Sequence, residues 1–449
     1  MLPTNEQPNM SATETGRSYL FPFALVCSLF FLWGIANSLN GSLIRHFQFA
    51  LDLKERWQAG LVDSAFYLGY FVMAIPAGIF MRKYGYKNGV LAGLGLYALG
   101  ALLFYPAANV REYAFFLFCL FTIASGLAFL ETAANLYVTV LGSKDTAEWR
   151  INFAQSFNGI SIILGPIIGS LFIFSQKEYT TELLATMTPE AIAQARVESA
   201  LSVQGPYLTV GIIVALIALL FWMSKLPEVG RSEEQSGKSI SLGALLTKYP
   251  RLSLGVLAQF ANVGAQATLW GYFADFKVEL AGDKHLGIVT WLYNIGSDST
   301  SEKIANYHMS FALVLFMLGR FIGTALMSKI EARKVVAWYS IAAVILIGGA
   351  FALGGFPAII CIMLAFFCQS IMFPTIFALA TKGMDAAESK QASSLVIMSI
   401  VGGAIMPPLA GKLAGSGDML MALIIPFLCF AYIVWYLLRY PKLSAGKVG

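Results

Sequence analysis

Between Tyr113 and Ser143 the chain carries a single charge, the carboxylate of Glu131. About 20 apolar residues suffice to cross the hydrocarbon core of a bilayer as a helix, so an uncharged run of this length reads as a membrane span. At about 1.5 Å per residue, Glu131 lies about 27 Å from Tyr113 and about 16 Å from Gly142, near mid-depth or slightly beyond. An ionised carboxylate there costs several kcal/mol, so such groups face a polar cavity and serve a function. Asn135 follows at i+4 on the same helical face. The next apolar stretch opens with RINFAQSFN, in which Asn152, Gln155 and Asn158 recur every three residues. Two consecutive spans thus present an acid and several amides. The plainer alternative is that the amides are hydrogen-bond partners between packed helices.

The same pattern recurs along the whole chain. Twelve apolar segments are drawn at about 20–40, 59–82, 88–107, 113–139, 150–175, 204–224, 252–274, 306–328, 334–353, 357–381, 391–414 and 418–439. With 57% hydrophobic and 12% charged residues among 449, the composition lies outside the range of soluble domains. The expected fold class is an all-α polytopic membrane protein of twelve transmembrane helices in two six-helix pseudo-repeats. A polar connector containing GRSEEQSGKS separates the sixth segment from the seventh. The expected organisation is a tail over 1–19, a six-helix half over 20–226, a connector over 227–250, a second half over 251–440 and a tail over 441–449.

Charge sets the expected orientation. About two thirds of the lysines and arginines fall in the tails and in the loops after even-numbered spans, which predicts both termini in the cytoplasm. The polar N-terminal segment is expected to be a cytoplasmic tail, since it lacks the apolar core of a signal peptide. A net charge of +5 distributed this way reports topology and gives no nucleic-acid footprint. The five cysteines fall within apolar spans and offer no disulfide framework; the three histidines lack metal-ligand spacing. No nucleophile–base pair is visible, so an enzyme is not expected, and neither is a cofactor.

Two further spans carry polar stripes. WGIANSLNG places Trp33, Asn37 and Asn40 at helical spacing, with Ser38 beside them. QFANVGAQATLW sets Gln259, Asn262, Gln266 and Trp270 at i, i+3, i+7 and i+11 on one face. Amides donate to and accept from hydroxyls, and an indole face packs on the C–H surface of a sugar ring, so the stripes suit a neutral polyhydroxylated ligand. A helix-packing stripe is the alternative. Phe373, close to Pro374, is a candidate gate at a broken helix, with a packing role as the equal alternative. Arg320 is expected to snorkel or to bond to helix ends. Asp275 and Lys277 are expected to be solvated. Thr188-Pro189-Glu190 predicts a capped amphipathic helix, and the segment 279–307 a mobile loop.

Short basic loops after the second and eighth spans, GIFMRKYGYKNGV and GTALMSKIEARKVV, mark a repeat six spans apart, as in transporters that rock two halves about a central site. SLFFLWGIANSLN, FLETAANLYVTVLG, RINFAQSFN, GRFIGT and FPTIFALA together resemble the fucose permease-like family of fucose-galactose-hexose proton symporters, within the major facilitator superfamily. The match runs from about residue 19 to about residue 440. The resemblance implies twelve helices, alternating access and uptake of a monosaccharide (fucose, galactose, glucose or a similar hexose) with a co-transported cation, H⁺ or Na⁺, by a monomer in the bacterial inner membrane. It implies that Glu131 couples sugar binding to protonation, that Gln155 and Asn158 line the sugar site, and that Ser38 stands where the family has asparagine. Arg82 stands where the superfamily mostly has aspartate. Gly41 occupies the place of a coupling aspartate, which makes nearby Asp63 a candidate relocated ion site; the plainer reading is an interfacial ion pair, with Arg45 as its expected partner. An uncoupled facilitator or exporter and a non-transporting sugar sensor are the rival readings.

Overall fold

In lipid every backbone N–H and C=O must be satisfied within the protein, and the helix does this segment by segment. The computed structural model describes residues 20–140, 147–172, 179, 181–224, 242–294, 300–327, 329–382, 384, 388, 392, 395–415 and 418–445, and among these it is helical with short connections. Among the described residues, twelve helices build the bundle. We number them α1 (Leu20–Ala50), α2 (Leu61–Tyr84), α3 (Tyr86–Val110), α4 (Tyr113–Val140), α5 (Ala147–Phe172), α6 (Gln204–Met223), α7 (Pro250–Gly271), α8 (Ser301–Met327), α9 (Ala332–Leu353), α10 (Gly355–Gln369), α11 (Gly402–Ala414) and α12 (Ile424–Ala445). Among the described residues, ten helical spans are long and apolar enough to cross a membrane, and α5 supplies a shorter apolar stretch, Phe153–Gly169. The amide stripe makes α7 less apolar than these, yet it is 22 residues long.

Helix packing shows the repeat directly. In the first six helices α1 packs on α5, α2 on α4, α3 on α4 and α3 on α6; six places on, α7 packs on α11, α8 on α10, α9 on α10 and α9 on α12. The seam between the two sets is made by α5 against α8 and by α2 against α11. Large apolar side chains such as Leu216, Trp222, Ile345 and Leu438 point outward and are exposed, which suits lipid as the surrounding solvent.

Small residues let helix axes approach closely. A Cβ on Gly126 of α4 would press into the Gly93 carbonyl oxygen of α3 and sit 2.6 Å from the Tyr97 nitrogen. The α1–α5 contact has the same character: Gly165 faces the Ser38 side chain with no room for a methyl group.

Several expectations change. The first helix continues to Ala50, beyond the 20–40 segment, and ends in a short turn before a four-residue helix, Arg56–Ala59. The segment 279–307 is not a loop throughout: a helix Phe273–Ala281 runs into it, Gly287–Tyr293 is helical, and α8 starts at Ser301. His308 ties this region down, its Nδ1 paired with the Ile304 carbonyl at 2.8 Å and its Nε2 accepting from the Leu286 N–H at 3.2 Å. The tenth span breaks at Ser370–Ile371 and resumes as Met372–Thr381, so Pro374 sits inside the first turn of the second piece and not at the break. Arg320 donates to the Ser370 carbonyl freed there at 3.3 Å and lies 5.1 Å from the Phe316 ring centroid, the helix-end role expected of it. The helix Pro189–Ser202 is capped by Thr188, whose side chain accepts from the Ala191 N–H.

Overpacking a close helix contact costs about 1–3 kcal/mol. Gly126→Ala is therefore expected to lower thermal stability in detergent by that amount. Gly95→Ala, where an added Cβ meets nothing within 4 Å, should leave it unchanged or raise it; equal losses in both would contradict the packing argument.

Candidate functional site

The candidate residues fall on α1, α2, α4, α5, α7 and the second piece of the tenth span. α1 packs on α5 and α4, and α7 packs on α1, so these helices meet at the interior of the bundle. The candidates divide by accessibility. Trp33, Asn37, Glu131, Gln155, Gln266, Trp270 and Phe373 are partly accessible, whereas Ser38, Asn40, Asp63, Asn158 and Asn262 are buried. The side chains of Asn135 and Asn152 lie outside the described residues.

Some amides serve the packing. Asn158 Nδ2 donates to the Phe30 carbonyl at 3.2 Å, tying α5 to α1, and Ser38 Oγ donates to Gly34 O at 2.9 Å within its own helix. Others have no partner at all. Both polar side-chain atoms of Gln259 and of Asn262, the Oε1 of Gln369 and the Trp270 Nε1 are buried without a hydrogen bond. Gln369 Nε2 reaches the Asn262 backbone carbonyl at 3.4 Å, so the last residue of α10, at the helix break, faces the α7 stripe. Buried amides left unmatched cost free energy, and broken helices in transporters mark binding sites. The sequence alone does not single out Gln369, because nothing in its local pattern shows where the helix stops. Trp270 stacks on Phe366 (centroids 5.6 Å apart, 16° between planes) and meets Phe316 edge-on, which fixes its ring.

One carboxylate lies at the seam. Asp63 of α2 is 4% exposed; its Oδ1 accepts a short hydrogen bond from Asn40 Nδ2, while Asp63 Oδ2 and Asn40 Oδ1 have no partner. The expected pairing of Asp63 with Arg45 does not form. Arg45 instead bonds Asp275 at 3.0 Å and Glu302 at 3.1 Å, because α1 is long enough to carry the guanidinium past Asp63 to the helix Phe273–Ala281. Asp275 and Lys277, expected to be solvated, are both fully buried; Lys277 donates to the Gly282 carbonyl at 2.6 Å.

A cavity beside Asp63 is lined by Asn37, Ser38, Tyr67, Ala267, Trp270, Gly271 and Met309, and leaves about 20 Å³ for water-sized spheres. That holds a water or an ion and no sugar ring. A much larger cavity of about 920 Å³ lies between α1, α5 and α6. It contains none of the candidates, is lined mostly by aliphatic side chains, and has exposed Ile160 and Ile213 on its wall, so we read it as lipid-facing.

The two sets of six helices are clamped together at the end of the bundle where α1 stops and α2 starts. Besides the Arg45 pairs, Arg56 grips Glu279 with both terminal nitrogens, Nη2 to Oε2 at 2.8 Å. The Tyr272 hydroxyl donates to the Arg56 carbonyl at 3.0 Å, and Ser64 Oγ donates to the Ala404 carbonyl. In each of these ion pairs the first half of the chain supplies the cation and the second half the anion.

Removing one partner of a buried pair strands the other charge, at a cost of about 3–5 kcal/mol. Arg45→Gln should therefore destabilise the protein strongly, and adding Asp275→Asn should recover part of the loss in thermal unfolding. Strictly additive losses would show that the two do not interact.

Residues 22–401 match the Major Facilitator Superfamily. The chain is 42% identical over 423 residues to the L-fucose-proton symporter of Escherichia coli (strain K12), covering 93% of this chain and 92% of that protein. It is 34% identical to the glucose/galactose transporter of Brucella abortus, covering 97% of each. The fold superposes on the crystal structure of the transporter FucP in the outward conformation with a TM-score of 0.66 at 39% identity, covering 94% of this chain and 99% of that one. This chain is a multi-pass membrane protein that belongs to the major facilitator superfamily.

Proposed function

We propose that the protein imports a monosaccharide by symport with H⁺ or Na⁺ across a bacterial cytoplasmic membrane, its two six-helix halves (20–226 and 251–440) rocking about a central site. The observation that carries this reading is the chemistry of the accessible interior groups on α1, α4, α5 and α7. They are amides (Asn37, Gln155, Gln266), indoles (Trp33, Trp270) and one carboxylate, Glu131. Such a surface matches hydroxyls and the apolar face of a sugar and offers no fixed charge pair for an ionic substrate. The names carried by the relatives, for fucose, glucose and galactose transport, agree with it.

Glu131 takes the coupling role. Tyr70, close to Trp33, lies within electrostatic range of it, so the acid shares its surroundings with an indole of the candidate sugar surface. A cation that binds there shifts the equilibrium between outward- and inward-facing forms only through different affinities for the two. With both termini in the cytoplasm, as the loop charges suggest, the clamped end faces outside and the conformation is externally closed. Asp63 is the second ion-coupling candidate. Uncoupled facilitation is the second reading, favoured by Gly41, which by the resemblance stands in the place of a coupling aspartate.

Two experiments test this. Glu131→Gln keeps a hydrogen-bonding isostere that cannot titrate, so sugar counterflow should survive while gradient-driven accumulation is lost; full accumulation would remove Glu131 from coupling. Gln266→Ala and Trp270→Ala should each weaken sugar binding, measured calorimetrically, by about 1–3 kcal/mol. Unchanged affinity with lowered thermal stability would assign the α7 stripe to packing alone.

A further inference from the structure

The Asp63 carboxylate is closed in by both halves of the molecule. Asn40 comes from α1, Tyr67 from its own helix, Ala267, Trp270 and Gly271 from α7, and Met309 from α8. A Cβ on Gly271 would sit 2.5 Å from Asp63 Oδ2, so the second half presses bare backbone onto the carboxylate. The titratable groups within electrostatic range are phenols, Tyr67, Tyr113 and Tyr272. Among the described residues no arginine, lysine or histidine acts on Asp63. Arg45 is held by Asp275 and Glu302 and is also influenced by Glu279; His46 turns its Nε2 to the Ser199 carbonyl at 2.8 Å.

We propose that Asp63 and Asn40 form a monovalent-cation site that acts as a latch: a proton or Na⁺ must neutralise the carboxylate before the external end can close over it against Gly271. This deepens the symport reading and rests on it for the identity of the outer face. Asp63 Oδ2 and, on the residue hydrogen-bonded to it, Asn40 Oδ1 are buried acceptors without donors, and Asp63 borders a cavity sized for one small ion or water. A proton on Oδ2 turns that acceptor into a donor; Na⁺ takes both oxygens as ligands, the hard donors such an ion prefers. An ionised, unpartnered carboxylate strongly resists burial, whereas a neutralised one accepts it. When the external end opens, Gly271 withdraws and the carboxylate meets water and its ion. Cation binding and closure are then linked reciprocally: the ion favours closure, and closure holds the ion.

The test reads closure from outside. Ser64→Cys, placed at the seam contact with Ala404, is treated with a membrane-impermeant maleimide in proteoliposomes, with the parent protein and its native cysteines as background. Lowering the external pH in Na⁺-free buffer, or adding Na⁺ at fixed alkaline pH, should slow modification about tenfold, within the usual range of coupling between linked sites. The arm that responds identifies the ion. Adding Asp63→Asn, neutral under all conditions, should make modification slow and indifferent to both cations. Adding Gly271→Ala should make it fast and indifferent, which keeps the proposal decidable if the asparagine variant fails to insert. Cation dependence that persists unchanged in either variant, or that is absent from Ser64→Cys itself, overturns the latch. Gradient-driven sugar uptake measured alongside separates the two ideas: uptake that persists without a latch refutes only the latch, and a latch without coupled uptake refutes only symport.

Discussion

A polar group in the hydrocarbon core has no water to fall back on, and much of the interior of this protein follows from that constraint. Where the tenth span breaks, Arg320 reaches the carbonyl released at Ser370. Where α1 and α5 press together, Asn158 caps the Phe30 carbonyl. The groups left over are informative for the same reason. Gln259, Asn262 and Gln369 hold buried polar atoms with no partner, and they lie at the face of α7 that meets a helix break.

The charges obey a related rule. Arg45 and Arg56 from the first half of the chain meet Asp275, Glu302 and Glu279 from the second, so the clamp at this end of the bundle is built from pairs that come apart when the halves separate. The Arg45–Asp275 pair gains from low surrounding polarity because Asp275 is fully buried, and it stays affordable because each charge has its counter-charge. Asp63 differs from these acids in having an amide and no cation. Closing over it therefore needs something from solution, and opening exposes it again.

How much of this was legible in the sequence depended on whether the signal was local. The twelve spans, the capped helix after Thr188 and the amide stripe of α7 are periodic features, and periodicity survives in one dimension. The partner of Arg45 does not: Asp275 lies 230 residues away, and Asp63, which seemed near enough, is passed over by a helix that runs on to Ala50. Lys277 and Asp275 looked like span-end charges that reach water. They are buried because α7 ends at Gly271 and a second helix, Phe273–Ala281, carries them against neighbouring helices. Pro374 suggested the break in the tenth span, yet the chain turns just before it, since a proline is tolerated in the first turn of a new helix. Gln369 entered the candidate site only with that break.

The central claim is that sugar and cation cross together. Its most direct measurement is cation movement on adding a monosaccharide to proteoliposomes with no gradient imposed. The account predicts that sugar entering down its own gradient draws H⁺ or Na⁺ inward with it, seen as external alkalinisation or as Na⁺ uptake that saturates with sugar concentration. Sugar that equilibrates across the membrane while both ions stay still would contradict it.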